Sequence, residues 1–182
     1  MYRVGDKVVY PHHGAGKIMK IEEMEVRGYS REYLTIQILH NDMTVMVPVD
    51  SADRAGLRKV VESDVVDEVL AVLHGQPTKM PKNWSRRYKH NANKLKTGDI
   101  FEVADVVRNL AIRHSSKGLS TGEKQMFSKA KRILASELMY ARDMSEDEAS
   151  AFLDEVLTEV SSQPVLPVEE PALAAAEAAP VA

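Results

Sequence analysis

Pro81-Lys82-Asn83-Trp84-Ser85-Arg86-Arg87-Tyr88-Lys89-His90-Asn91-Ala92-Asn93-Lys94-Leu95-Lys96 is the stretch on which the reading of this chain turns. It holds the single tryptophan of the protein; six of its sixteen residues are Lys or Arg, and none is acidic. From Trp84 the spacing predicts a helix, with Trp84, Tyr88 and Leu95 on one side and Arg86, Arg87, Lys89, His90 and Lys94 filling the rest. Asn83 is placed to cap that helix, and Pro81 constrains the chain entering it. Two readings follow. In one, Trp84 covers an apolar core and the cations are a solvated face, in keeping with how deeply tryptophans are buried on average. In the other, Trp84 stands exposed at the helix start. The cations around it then hold a phosphate chain while the flat ring stacks or wedges at a base step.

Working outward, the charge is not evenly spread. Residues 1–75 carry 9 basic and 12 acidic side chains, 76–132 carry 14 and 4, and 133–182 carry 1 and 11. The net −3 of the whole chain therefore conceals a block of +10 centred on the quoted stretch and a block of −10 behind it. Such asymmetry points to a polyanionic partner; the plainer reading is a basic face that aids solubility. The 182 residues suffice for one domain or two small ones, and 44% hydrophobic content is enough to build cores. The absence of cysteine removes disulfides, thiolate metal sites and a cysteine nucleophile. No apolar run reaches the ~20 residues of a membrane span, and Met1-Tyr2-Arg3-Val4-Gly5-Asp6 lacks the pattern of a signal peptide. A cytoplasmic location is expected.

The chain upstream of the basic block is strand-like. Lys7–Tyr10, Lys17–Val26, Glu32–Ile38 and Thr44–Val47 read as short strands, separated by turns at Pro11–Gly16, Arg27–Ser30 and His40–Asp42. Four or five such strands predict a small, highly twisted barrel or SH3-like sheet. The period then changes. Ser63–Leu73 reads as a helix with Val65, Val66, Val69, Leu70 and Leu73 as its stripe, stopped by His74-Gly75-Gln76-Pro77. Helices follow over Ile100–His114, from Ser120, and from Ser145, the last two opening on capping-box spacings with Glu123 and Glu148. The expected organisation is α+β: residues 1–75 a β domain closed by a helix, 76–160 an all-helical domain, and 161–182 a disordered acidic Pro/Ala tail.

No catalytic constellation emerges. His12 and His13 are adjacent, so on an extended chain they point apart, and no third metal ligand stands nearby. Gly14-Ala15-Gly16 is too short for a phosphate-cradling loop and reads as turn chemistry. The carboxylates of 143–159 fall on outer helix faces, and Ser120 and Thr121 read as caps. No enzyme activity, metal or cofactor is expected.

With both halves in view, the chain resembles the CarD/CdnL family of bacterial transcription regulators. The resemblance rests on Val4-Gly5-Asp6-Lys7-Val8-Val9-Tyr10-Pro11-His12-His13-Gly14, Val47-Pro48, Gly56-Leu57-Arg58, Asn83-Trp84-Ser85-Arg86-Arg87-Tyr88-Lys89, and Gly118-Leu119-Ser120 with Gly122-Glu123-Lys124. It covers about residues 1–160. The N-terminal part also resembles the polymerase-interacting domain of the transcription-repair coupling factor. The family implies a Tudor-like N-terminal domain that binds the RNA polymerase β subunit. It also implies a helical C-terminal domain that touches promoter DNA at the upstream edge of the melted bubble and stabilises the open complex. On that basis Trp84 is expected to be exposed as a minor-groove wedge, with Arg86, Arg87, Lys89 and Lys124 as phosphate contacts. Met24, Thr44, Val45, Met46 and Val47 are expected at the polymerase interface. Met24 and Met46 depart from the pattern, because relatives from actinobacteria often have a basic residue there. A monomer is expected. The rival from the residues alone is a free-standing nucleoid or RNA-binding module, which the +10 block supports equally well. A small hydrolase using His12 or His13 is a third possibility without a supporting constellation.

Overall fold

The structure, a computed structural model, describes residues 1–164 of the chain. Its first part is a five-stranded antiparallel sheet in the order β4-β3-β2-β1-β5. The strands are β1 (Lys7–Tyr10), β2 (Gly14–Val26), β3 (Tyr29–Ile38), β4 (Thr44–Pro48) and β5 (Arg58–Lys59). The β2–β3 hairpin closes through Arg27 and Gly28, both at positive φ, the conformation that matches the twist of a two-residue turn. Alternation puts Ile18, Leu34, Ile36, Ile38 and Val47 on one face, where they form a core with Val8. A bulge at Met19 resets β2, so that Ile21 also returns to that face opposite Leu34.

The expected barrel does not close. β4 and β5 are the two edges of an open sheet and do not pair with each other. β4 stops at Pro48, which has no N–H for a further rung, and the chain turns through a short 3-10 segment, Val49–Ser51. Ala52 and Leu57 from that connection cover the core instead.

The second part is five helices: α1 (Ser63–His74), α2 (Trp84–Thr97), α3 (Ile100–Lys117), α4 (Thr121–Ala141) and α5 (Glu146–Ser162). α3 is buried without a break from Val103 to Ala111, with the other four helices packed around it. Both predicted capping boxes form, Ser120 with Glu123 and Ser145 with Glu148.

Two expected boundaries move. The helix expected to close the β domain belongs to the helical core: Val66, Val69 and Leu73 of α1 pack with α3, α4 and α5. The breakers at Gly75-Gln76-Pro77 end the helix without ending the domain. The connection after them is pinned to α3, with the Thr78 N–H donating to Asn109 Oδ1 (3.1 Å) and Thr78 Oγ1 to Asp105. At the other end, α5 runs through Ser162 with Val160 buried, so it overlaps the start of the expected tail. Residues 165–182 lie outside the described residues.

The two parts meet closely. Glu137 of α4 is buried at the junction, where it accepts from Nη1 and Nη2 of Arg58 (2.5 and 2.8 Å) and from the Val61 N–H (3.1 Å). Arg58 Nε also donates to the Gly98 carbonyl between α2 and α3 (2.8 Å). The Ala15 N–H donates to Ser136 Oγ (2.9 Å), and a Cβ on Gly14 would sit 2.8 Å from that same oxygen, so the β1–β2 turn and α4 approach too closely for a side chain.

Candidate nucleic-acid interface

Asn83 is the N-cap of α2, its side chain accepting from the Arg86 N–H (3.1 Å). This places Trp84 as the first helical residue, at a free end rather than in a helix-packing seam, and its side chain is 50% exposed. The ring is not loose. Its Nε1–H donates to Ser120 Oγ (2.8 Å), its centroid lies 5.8 Å from that of Tyr88, and both rings rest on the first turn of α4 at Gly122. Ser120 serves two helices at once. Its hydroxyl accepts from Trp84 and from the Glu123 N–H (3.3 Å), and it donates to Glu123 Oε2 (2.9 Å). The capping box of α4 is therefore also the anchor of the α2 tryptophan.

Of the expected phosphate contacts, Arg86, Lys89 and Lys124 are exposed beside this ring pair. Arg87 is not. It is buried, with Nε donating to Glu123 Oε1 (2.6 Å) and Nη1 to the carbonyls of Lys82 (2.9 Å) and Pro81 (3.3 Å). The buried stripe of α2 is Arg87, Asn91 and Leu95, not Trp84, Tyr88 and Leu95. Arg87 can face inward because Glu123 neutralises it there; burial without such a partner would cost several kcal/mol. Burial alone would raise the Glu123 pKa, but the bonds from Arg87 and Ser120 outweigh it and hold the carboxyl below its usual range.

The other carboxylates of the basic block are also engaged, by a helix start or by cations other than those beside Trp84. Asp99 caps α3, accepting from the Phe101 and Glu102 N–H groups. Glu102 and Asp105 both meet Lys94 (3.0 and 2.6 Å), and Asp105 also meets Arg108. Among the described residues, no carboxylate lies within ion-pair distance of Arg86, Lys89, Lys96, Lys124 or Lys129. The fold thus turns a charge imbalance in the sequence into an uncompensated positive surface around an anchored, half-exposed indole.

The residues expected at a polymerase interface lie on the sheet, and the structure separates them. β4 is an edge strand with Thr44 and Met46 outward, Met46 being 44% exposed. Val47 is in the core and can offer only main chain to a partner, and Val45, partly buried, packs against that core. Met46 pairs with Thr35 and Thr35 with Lys20, whereas Met24 pairs with Arg31 further out along the hairpin, beyond the part of β3 that β4 covers. The register puts Met24 and Met46 on the same outer face, together with Val26 (43% exposed) and Tyr29 (70% exposed) at the tip. Val26 and Tyr29 were not among the candidates; the signal was a β2–β3 hairpin much longer than the strand beside it.

His12 lies in a left-handed turn (φ 67°) and His13 stacks on Tyr10. Among the described residues, no group of three or more His, Asp or Glu side chains is placed to hold a metal. No helix there is long and apolar enough to cross a membrane.

Comparison with known proteins agrees with this two-part organisation. Residues 2–61 match the family described as CarD-like/TRCF RID domain, and residues 68–154 match CarD, C-terminal domain. Among relatives, the chain is 35% identical over 153 residues to YdeB of Bacillus subtilis (strain 168), named as a transcription factor; the match covers 84% of this chain and 99% of YdeB. It is 30% identical over 116 residues to the transcription-repair-coupling factor of the same organism, covering 64% of this chain but 9% of that much longer protein. The solved CdnLNt structure from Myxococcus xanthus is 38% identical over 34% of this chain and 86% of its own, with a TM-score of 0.29. Matches to both domain families, together with a relative aligned over nearly its whole length, establish that the chain belongs to the CarD/CdnL family.

Proposed function

We propose that this protein is a non-enzymatic transcription regulator that binds RNA polymerase with its sheet and promoter DNA with its helices, and so stabilises the open complex. The polymerase assignment rests on the match of residues 2–61 to a domain family shared with transcription-repair-coupling factors. The β subunit is taken as the contact. The outward face of the sheet, Met24, Val26, Tyr29 and Met46, and the free main chain of β4 supply apolar contact and strand pairing for it.

The observation that carries the DNA assignment is Trp84, half exposed and fixed through Ser120 beside Arg86, Lys89 and Lys124, which have no carboxylate partner among the described residues. The contacts with Ser120 and Tyr88 fix the indole in place yet leave half of it exposed to solvent. Flanked by Arg86, Lys89 and Lys124, it suits a duplex whose base step is already part unstacked, because melting meets most of the unstacking cost of a few kcal/mol. The wedge then favours melted over closed DNA. A preference of about 2–3 kcal/mol shifts open-complex occupancy roughly 30- to 150-fold by linkage alone. Polymerase supplies sequence reading, and tethering offsets a weak intrinsic DNA affinity.

Open-complex lifetime with and without the protein tests this reading. The full chain should lengthen it. Trp84→Ala should remove most of that effect, about 1–3 kcal/mol, the range for one base–aromatic contact, while leaving polymerase binding in place. A lifetime unaffected by the wild-type chain would refute the proposal.

A further inference from the structure

Past Tyr88, between α2 and α4, runs a groove of about 310 Å³. Ala92, Leu95 and Met126 make its apolar part, and Tyr88 lines it too, so one ring belongs both to the wedge pair and to the groove. Its polar groups come from both parts of the molecule: His12 from the β1–β2 turn, and Gln125 and Lys129 from α4. Among the described residues, no carboxylate lines it. Gln125 and Lys129 are exposed, and among the described residues neither has a hydrogen-bond or carboxylate partner in the protein. Burial, together with the nearby charges of Lys129, His13 and Lys96, lowers the His12 pKa, leaving a neutral imidazole with one donor and one acceptor.

We propose that this groove receives one unpaired nucleotide from the strand that Trp84 parts from its duplex. The base lies along Tyr88 over Ala92, Leu95 and Met126, the Gln125 amide faces its edge, and Lys129 meets its phosphate. The inference rests on the DNA reading above and adds a second, distinct contact to it. Three features select this occupant. The one charged side chain of the groove is the cation Lys129, with no opposing acid among the described residues, which suits a phosphate and not an acidic or mixed-charge peptide. The cavity is at the low end of the ~300–1,000 Å³ usual for small-molecule sites, room for one flat group rather than a helix. A primary amide offers the paired donor and acceptor that base edges match, beside an aromatic ring on which any base can stack.

The test compares binding of the full chain to two DNAs at low salt: a fully paired duplex, and the same duplex with one unpaired thymidine. Wild type should bind the second at least about fivefold more tightly, the low end of one base–aromatic stack. Gln125→Phe, at an exposed position, should fill the groove and abolish this preference while leaving paired-duplex affinity and melting temperature unchanged. If that variant melts early, Lys129→Ala, which removes the phosphate contact without filling space, decides the matter by the same loss of preference. Equal wild-type affinity for the two DNAs, or an undiminished preference in a well-folded variant, would overturn the groove assignment with the DNA reading intact. Binding to neither DNA, with no effect on open-complex lifetime, would overturn both.

Discussion

Arg87 donates to Glu123 and to two main-chain carbonyls, whereas Arg86, one position earlier, holds its guanidinium in water. Removing each should therefore have opposite signatures. Arg87→Met leaves buried Glu123 with only the more distant Arg113 (3.8 Å) as a cation and should cost up to about 3–5 kcal/mol of stability, a drop in melting temperature on the order of 10 °C for a chain of this size. Arg86→Ala should leave the melt unchanged, weaken binding on all DNA sequences alike, and reduce the log–log salt slope by about one. An unchanged melt for Arg87→Met would remove the buried pair from this account. Glu123 and Asp105 add a pH dependence, because ion pairs and hydrogen bonds outweigh burial and hold both carboxyls below their ordinary values. The folded chain takes up these protons less readily than the unfolded chain. The stabilisation is thus full above the unfolded carboxylate range, about pH 4–4.5, and falls away as pH drops through the lower folded values. Urea titrations between neutral and acid pH should show this loss, and Glu123→Gln should flatten it.

The elements hold the site by their ends. α2 buries little apolar surface of its own, with Leu95 as its one fully buried hydrophobic residue, so its position depends on the Asn83 cap, the Arg87–Glu123 pair and the Ser120 hydroxyl. Ser120→Ala breaks the α4 capping box and frees the Trp84 indole in one step. It should cost about 1 kcal/mol for the cap and should shorten open-complex lifetime beyond what that small destabilisation explains. A normal lifetime would show that anchoring the ring is immaterial. On the sheet, β4 separates its two faces residue by residue. Met46→Glu should weaken recovery of polymerase in a pull-down while DNA binding and melting stay as in wild type. Val47→Glu, which drives a charge into the core, should unfold the β part. Loss of polymerase binding by neither variant would exclude β4 from the interface.

At the scale of the whole molecule, the junction is a buried contact and not a tether. Arg58 and Glu137 join β5 to α4, and the chain passes from one core to the other between Lys59 and Ser63. A fragment beginning near Val61 should retain its helical core, while one beginning at Gln76 loses Val66, Val69 and Leu73 from that core and should be largely unfolded by circular dichroism. Equal helicity in the two fragments would restore the boundary at 75. Because the sheet and the Trp84 site are held to one another through this junction, the proposed function has polymerase at the sheet presenting the indole to DNA at a set distance. Fixed geometry makes tethering effective.

Much of this was legible in the chain itself. Strand alternation in 1–50, the stripe of α1, the helices α3, α4 and α5, both capping boxes, the Asn83 cap and the basic block all depend on neighbours within a few positions, and all reappear in the structure. The separation of charge in 76–132 was likewise countable, since it needs no folding to exist. What the tertiary structure alone decided are matters of long-range pairing. The helical spacing left open whether Trp84 covers a core or stands exposed, and the family resemblance set Arg87 among the phosphate contacts. The fold turned Arg87 inward because a carboxylate 36 positions away, Glu123, is buried where it can neutralise it. Breakers at Gly75-Gln76-Pro77 suggested a domain boundary. Packing assigned α1 to the helices because its stripe finds α3, and the sheet stays open with β4 and β5 as its two edges. Local periodicity specifies which face of an element is apolar, but only the partner brought to it from far along the chain determines whether a charge beside that face is buried or left in water.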